Sequence, residues 1–205
     1  MTIRTLVFDL NDTLVVGLTG IGPKLEPLIH APADEIPSLF REDPMLDFLL
    51  GHCTEDEYLA NIKAMHGWDV DIQAIKPILR EHFKQAIPGM PELVAELAKA
   101  YPLYLLSDQG REWAEYVEQI HPFMALFKRR FYSWDMGCRK TDPQTFACVV
   151  GQIGAQPAEC LMIDDRQGFL DFAAQAGLQT VLFSGSQPLR GQLARLGIPV
   201  AVTGS

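Results

Sequence analysis

The sequence predicts an α/β protein: a parallel sheet sandwiched between helices, with a small helical segment inserted after the first strand. Three observations predict it. The short apolar runs TLVFDL, PLYLLSD, CLMIDD and QTVLF are bounded by polar or turn residues, as strands covered on both faces are. Stretches with apolar residues three and four apart separate the later runs, the alternation that right-handed β-α-β units produce. The region from Val16 to Pro88 shows helical periodicity with almost no strand signal.

The elements follow in order. The first strand ends at Leu10. KLEPLIHA, PMLDFLLG, TEDEYLANIKAMHG and DIQAIKPILREHF then read as helices, and IPGMP near Pro88 as the linker back. The expected division is therefore 1–15 and 89–205 for the core, with 16–88 inserted. A helix over Met90–Tyr101 leads to the strand ending at Asp108, and REWAEYVEQIHP forms the next helix. DPQTFACVVGQIG starts with Asp142 as N-cap before Pro143 at the first helical position. CLMIDD ends at Asp165, FLDFAAQAGL stops at Gly177, and QTVLF closes at Phe183. The KRR run at Lys128–Arg130 reads as a solvated face. Phe123, Phe127 and Phe131 read as either core or a dimer face, and Trp113 and Tyr116 as core or interface residues.

Composition limits the partners. The chain has 205 residues, 48% of them hydrophobic and 21% charged, enough for one core plus a smaller insertion. A formal charge of −9 with no basic stripe argues against nucleic acid. The apolar runs fall short of the roughly 18–20 residues of a membrane span. MTIRTLVFDLND lacks the pattern of a signal peptide. Cys53, Cys138, Cys148 and Cys160 form no C-x-x-C pair, so reduced thiols in a cytoplasmic compartment are expected. The chain is expected to be a monomer or homodimer.

Polar groups gather at the C-terminal ends of the strands, the edge where open parallel sheets bind ligands. Asp9, Ser107, Asp108, Asp164 and Asp165 all fall there. Acids at strand ends also cap helices. Three such strands, one with a paired Asp-Asp, point instead to clustered carboxylates, whose repulsion a hard divalent cation neutralises. Mg²⁺ takes such oxygen ligands together with substrate phosphate. Ser107 offers a phosphate a hydroxyl, and Lys140, just before a helix, offers a positive charge.

Together these residues resemble the four motifs of the haloacid dehalogenase superfamily. FDLNDTL resembles its D-x-D-x-T-L motif, LLSD its second, CRKTDPQTF its lysine motif and MIDD its acidic pair. The likeness is greatest to the branch of sugar-phosphate phosphatases and epoxide-hydrolase phosphatase domains. It implies a Rossmann-like core with a small α-helical cap and a Mg²⁺-dependent hydrolase of a small phosphorylated metabolite. Asp9 would be nucleophile and metal ligand, and Asp164 and Asp165 would hold metal with the backbone carbonyl of Asn11. Thr13, Ser107, Asp108 and Lys140 would form the phosphate site, and Asp9, Asn11, Ser107 and Lys140 the catalytic positions. Receiver domains of response regulators share these residue types, but their acidic pair precedes the phosphorylated aspartate.

The chain departs from the pattern at four places. Asn11 stands where phosphatases carry an aspartate that protonates the leaving oxygen; an amide cannot, and losing such a group costs ~10²–10⁴-fold. Asp12 takes a turn position, Phe169 stands where relatives often have Asp or Asn, and Asp108 replaces a common Asn. A slow phosphatase favouring acyl or aryl phosphates is the expected function. The alternative is a catalytically impaired protein with a phosphate-sensing or partner-binding role. Retention of the acidic pair argues against dehalogenation. Arg41, Lys63, His66 and Trp68 are polar or aromatic residues of the cap, without an assigned role.

Overall fold

The computed structural model describes residues 2–201. Five parallel strands form one sheet: β1 (Thr5–Phe8), β2 (Leu103–Ser107), β3 (Arg129–Tyr132), β4 (Cys160–Asp164) and β5 (Gln179–Leu182), in the order β3-β2-β1-β4-β5. Between β1 and β2 run α1 (Gly22–Ile29), α2 (Ile36–Leu39), α3 (Pro44–Leu49), α4 (Glu55–His66), α5 (Ile72–Phe83) and α6 (Met90–Leu97). After β2 come α7 (Arg111–Ile120), α8 (Ser133–Met136) and α9 (Pro143–Ile153), then α10 (Gln167–Gln175) and α11 (Ser186–Arg195).

The central strand explains the two-sided core. Side chains alternate along β1, so Leu6 and Phe8 pack on the face that α6 and the inserted helices cover, while Val7 joins Phe146, Val149 and Leu170 on the other. Phe8 pairs with Leu105 on one side and Ile163 on the other. That register levels the ends of β1, β2 and β4, so their terminal acids share one edge. Phe123, Phe127 and Phe131 are buried and belong to the core.

The structure adds elements that the sequence hid. RRFY is a strand because its charges serve an edge: Arg129 lies 4.7 Å over the Phe131 ring and Arg130 donates to Glu118 at 2.7 Å. α11 was masked by its polarity and its Pro188 and Gly191, yet Leu189 and Leu193 are fully buried. α2 is a single turn. The expected apolar runs also end early, β1 at Phe8 rather than Leu10. Beyond it the chain curls: Leu14 and Val15 both donate N–H to the Leu10 carbonyl, and Asp12 adopts φ +60°. α6 stops at Leu97 rather than Tyr101.

The chain leaves and re-enters the α/β layer at one point. Val16 N–H donates to the Gln85 carbonyl and Ile87 N–H to the Leu14 carbonyl, at 2.8 and 2.9 Å. Thr54 and Glu57 form a reciprocal capping box that starts α4. The inserted helices dock back through Ser133 Oγ, which donates to the Leu49 carbonyl at 2.6 Å. Gly110 lets Phe48 approach, since a Cβ there would fall 2.1 Å from the ring. Among the described residues no helix is long and apolar enough to cross a membrane, and all four cysteines are free.

Candidate active site

Lys140 organises the strand-end edge. Its ammonium donates to Asp9 Oδ1 at 2.5 Å and to Asp164 Oδ2 at 2.7 Å, with 1% of the residue exposed. Local structure holds it there. Asp142 caps α9 through Gln144 N–H, Thr145 Oγ1 donates to the Arg139 carbonyl, and Asp108 accepts from Lys140 N–H and Arg139 Nε, both at 3.0 Å. The carboxylate of Asp108 thus faces the loop before α9 and fixes it. Lys140 Nζ also lies 4.7 Å from the centre of the Phe169 ring, which Arg166 covers at 4.5 Å.

Asp9, Asp164 and Asp165 bring ligand oxygens within 4.8 Å of one another, a group able to hold a metal ion. Asp164 Oδ1 accepts from Arg166 N–H at 2.9 Å. Asp9 Oδ2 accepts no hydrogen bond from a described residue. Burial pushes the Asp9 carboxyl up to about 8, Lys140 pulling it back and Asp164 adding to the rise. Burial likewise raises Asp165 to about 6, with Asp164 and Asp12 reinforcing it. Burial opposes the charge on Lys140, but Asp9, Asp164 and Asp108 outweigh it and hold the ammonium well above the usual lysine range.

The other positions singled out in the sequence surround this cluster. Asn11 is half-buried, and its Oδ1 accepts from Gln109 Nε2 at 3.2 Å. Asp12 accepts from Gly17 N–H at 2.9 Å and from Thr19 Oγ1 at 2.6 Å, a turn role. Thr13 and Ser107 are fully buried, and neither hydroxyl has a hydrogen-bond partner among the described residues. A cavity of about 610 Å³ opens above the cluster. Asp9, Asn11, Lys140 and Asp165 form its floor, while Met45, Leu46, Leu49, Phe83 and Trp113 wall it and Arg41 joins its lining. Thr13, Ser107 and Asp164 sit outside that lining. Lys63, His66 and Trp68 also lie outside it; His66 stacks on Trp68 and pairs with Glu42.

Sequence reasoning missed Gln109, Arg139 and Arg166, each adjacent to a motif residue. Adjacency was the only signal available, because their side chains turn toward the site through loop geometry. Trp113 joins both core and cavity: it is 2% exposed and lines the wall.

The chain is similar to known proteins. The chain is 27% identical to flavin mononucleotide hydrolase 1, a chloroplastic protein of Arabidopsis thaliana, over 96% of this chain and 79% of that protein. It is 21% identical to D-ribitol-5-phosphate phosphatase of Bacteroides thetaiotaomicron over 63% of this chain and 66% of that one. Its fold matches a haloacid dehalogenase-family enzyme of Bacteroides thetaiotaomicron crystallised with magnesium and inorganic phosphate, at TM-score 0.74 and 21% identity over 89% and 95% of the two chains. It also matches a HAD-like hydrolase of Porphyromonas gingivalis at TM-score 0.77 and 20% identity over 98% and 100%. A family model described as haloacid dehalogenase-like hydrolase matches residues 3–177. With most of its length so matched, and its strand-end acids and lysine gathered at one site, this chain belongs to the haloacid dehalogenase-like hydrolase family.

Proposed function

We propose that the protein is a Mg²⁺-dependent phosphatase of small phosphorylated metabolites, working through an aspartyl-phosphate at Asp9. The observation that carries this reading is the buried ammonium of Lys140 bridging Asp9 and Asp164 at the floor of an open cavity. The donor set suits a hard cation: three carboxylates with oxygens within 4.8 Å. Asp9, Asp164, Asp165 and the backbone carbonyl of Asn11 would hold Mg²⁺, which when bound neutralises phosphoryl charge. The hydroxyls of Thr13 and Ser107, buried outside the cavity lining and without a partner among the described residues, are donors of the kind a phosphate uses. The relatives named for hydrolysing flavin mononucleotide and D-ribitol 5-phosphate support the same chemistry.

In this reading Asp9 Oδ2 attacks phosphorus, the bond to the leaving oxygen breaks with its electron pair, and water then hydrolyses the aspartyl-phosphate. Lys140 stabilises the charge that develops on the phosphoryl oxygens. Asp108 serves the phosphate site by holding Arg139 and the Lys140 main chain. Segment 16–88 acts as the cap over the cavity, in a cytoplasmic protein. Asn11 slows turnover because it supplies no proton.

Asp9→Asn is expected to lower Mg²⁺-supported hydrolysis of acetyl phosphate by at least about 10³-fold, as loss of a nucleophile does. Retained turnover would rule out the covalent route. Asn11 also favours a second reading, phosphate binding without turnover. Tight binding of phosphate beside no hydrolysis at high protein concentration would establish it.

Metal binding should release protons. Asp9 and Asp165 titrate above the ordinary carboxylate range without a cation, so their protonated forms are favoured when folded. Their contribution to stability is full below pH about 4 and is lost as pH rises through about 6 and about 8. A bound cation reverses the balance. Mg²⁺ affinity should therefore climb from pH 5.5 to pH 8, and calorimetry in buffers of different ionisation heat should register proton release. Affinity that is flat across this range would contradict the assigned ligands.

A further inference from the structure

We propose that the substrate class is aryl phosphates, with the aromatic ring seated against Met45, Leu46, Leu49, Phe83 and Trp113; this rests on the phosphatase reading above. Two independent observations meet here. The first concerns the leaving group. Asn11 cannot donate a proton to a departing oxygen. Of the other carboxyls that line the cavity, Asp12 and Asp108 next to the floor are already engaged, while Glu42 and Asp43 belong to the inserted segment. Asp12 gives one oxygen to Gly17 N–H and the other to Thr19 Oγ1. Asp108 gives one to Lys140 N–H and the other to Arg139. Glu42, on the exposed part of the insertion, has one oxygen 3.3 Å from His66 Nε2. An alkoxide needs a proton to leave, whereas a phenolate, whose conjugate acid titrates at about 10, leaves as the anion.

The second observation is the wall. Trp113 donates its indole N–H to Glu55 Oε1 at 2.6 Å, and Glu55 is itself 2% exposed and clamped by Arg80 at 2.8 and 2.5 Å. Phe48 meets the Trp113 ring edge-on at 4.9 Å and Phe83 tilts against it at 5.1 Å. The indole is therefore locked before any ligand arrives, with its polar atom already spent. An apolar, aromatic wall fixed in this way suits a flat ring. A polyol chain would gain no hydrogen bond from these five side chains and would have to turn to Arg41 or the polar residues across the cavity, and a small acyl group would leave the wall uncovered. In the reaction, an Asp9 oxygen bonds to phosphorus, the phosphorus–aryloxide bond breaks, and the aryloxide departs with the electron pair.

The test uses two ligands that cannot be hydrolysed. Phenylphosphonate should bind the Mg²⁺-loaded protein about 10-fold or more tightly than methylphosphonate, by calorimetry. Trp113→Ala should shrink that ratio toward one. Because Trp113 is buried, Leu46→Asn, at a residue 46% exposed on the same wall, provides a variant that spares the core and should also narrow the ratio. Equal affinities for the two phosphonates in the parent, or a ratio that neither variant moves, would overturn the inference. Acetyl phosphate hydrolysis alongside equal affinities would defeat the aryl preference alone. No hydrolysis and no binding of either phosphonate would defeat the phosphatase reading beneath it.

Discussion

Asn11→Asp is expected to raise turnover of alkyl phosphates by ~10²–10⁴-fold, the usual worth of a general acid–base group. The substitution changes one side-chain atom at a position on the cavity floor, so it adds no volume. Gln109 Nε2 already donates to this side chain at 3.2 Å, and the new carboxyl inherits that orienting partner. The gain should depend on the leaving group. An acyl phosphate, which departs as a carboxylate, should gain little, while D-ribitol 5-phosphate should gain most. Steady-state kcat for the two substrates, parent against variant, measures the difference. The same gain for both would mean that Asn11 limits a step other than protonation of the leaving oxygen. No gain for either, in a variant that still binds phosphate, would favour the binding role.

Much of this site was legible because its chemistry sits where strands end. A β-α-β chain has few places to put an acid on the binding edge, so VFD, LLSD and MIDD announce both the sheet and the site together. Lys140 was legible from its place just before an N-capped helix. What could not be read was which oxygen meets which donor. Asp108 follows the β2 serine and reads as a phosphate-site residue, yet its carboxylate faces the Arg139–Lys140 loop. β3 stayed hidden because an edge strand carries charges that a buried strand does not, and Arg129 and Arg130 look like solvent. Trp113 was half legible: its helical spacing marks a core residue, but only the tertiary bond to Glu55 shows why its ring stands at the cavity wall.

Lys140→Met should destabilise the metal-free protein by about 3–5 kcal/mol near pH 8, the usual cost of removing one partner from a buried ionic group. Methionine fills most of the space, so the loss measures charge more than packing. Without the ammonium, Asp9 and Asp164 lose their shared donor and face Asp165 across a group of oxygens within 4.8 Å. The sign with pH follows from the carboxyls. The lysine is held above its usual range by those acids, so it stays charged throughout the neutral range and its own titration is not sampled. Asp9 and Asp165 sit above the ordinary carboxylate range by burial, and taking up protons relieves the repulsion. The penalty should therefore shrink as pH falls from 8 toward 5, and Mg²⁺ should recover part of it at pH 8. Denaturant titrations of parent and variant at the two pH values, with chelator and then with Mg²⁺, measure both effects. A penalty that is equal at pH 5 and pH 8 would show that Lys140 acts through packing against Phe169 rather than by offsetting the carboxylates it bridges.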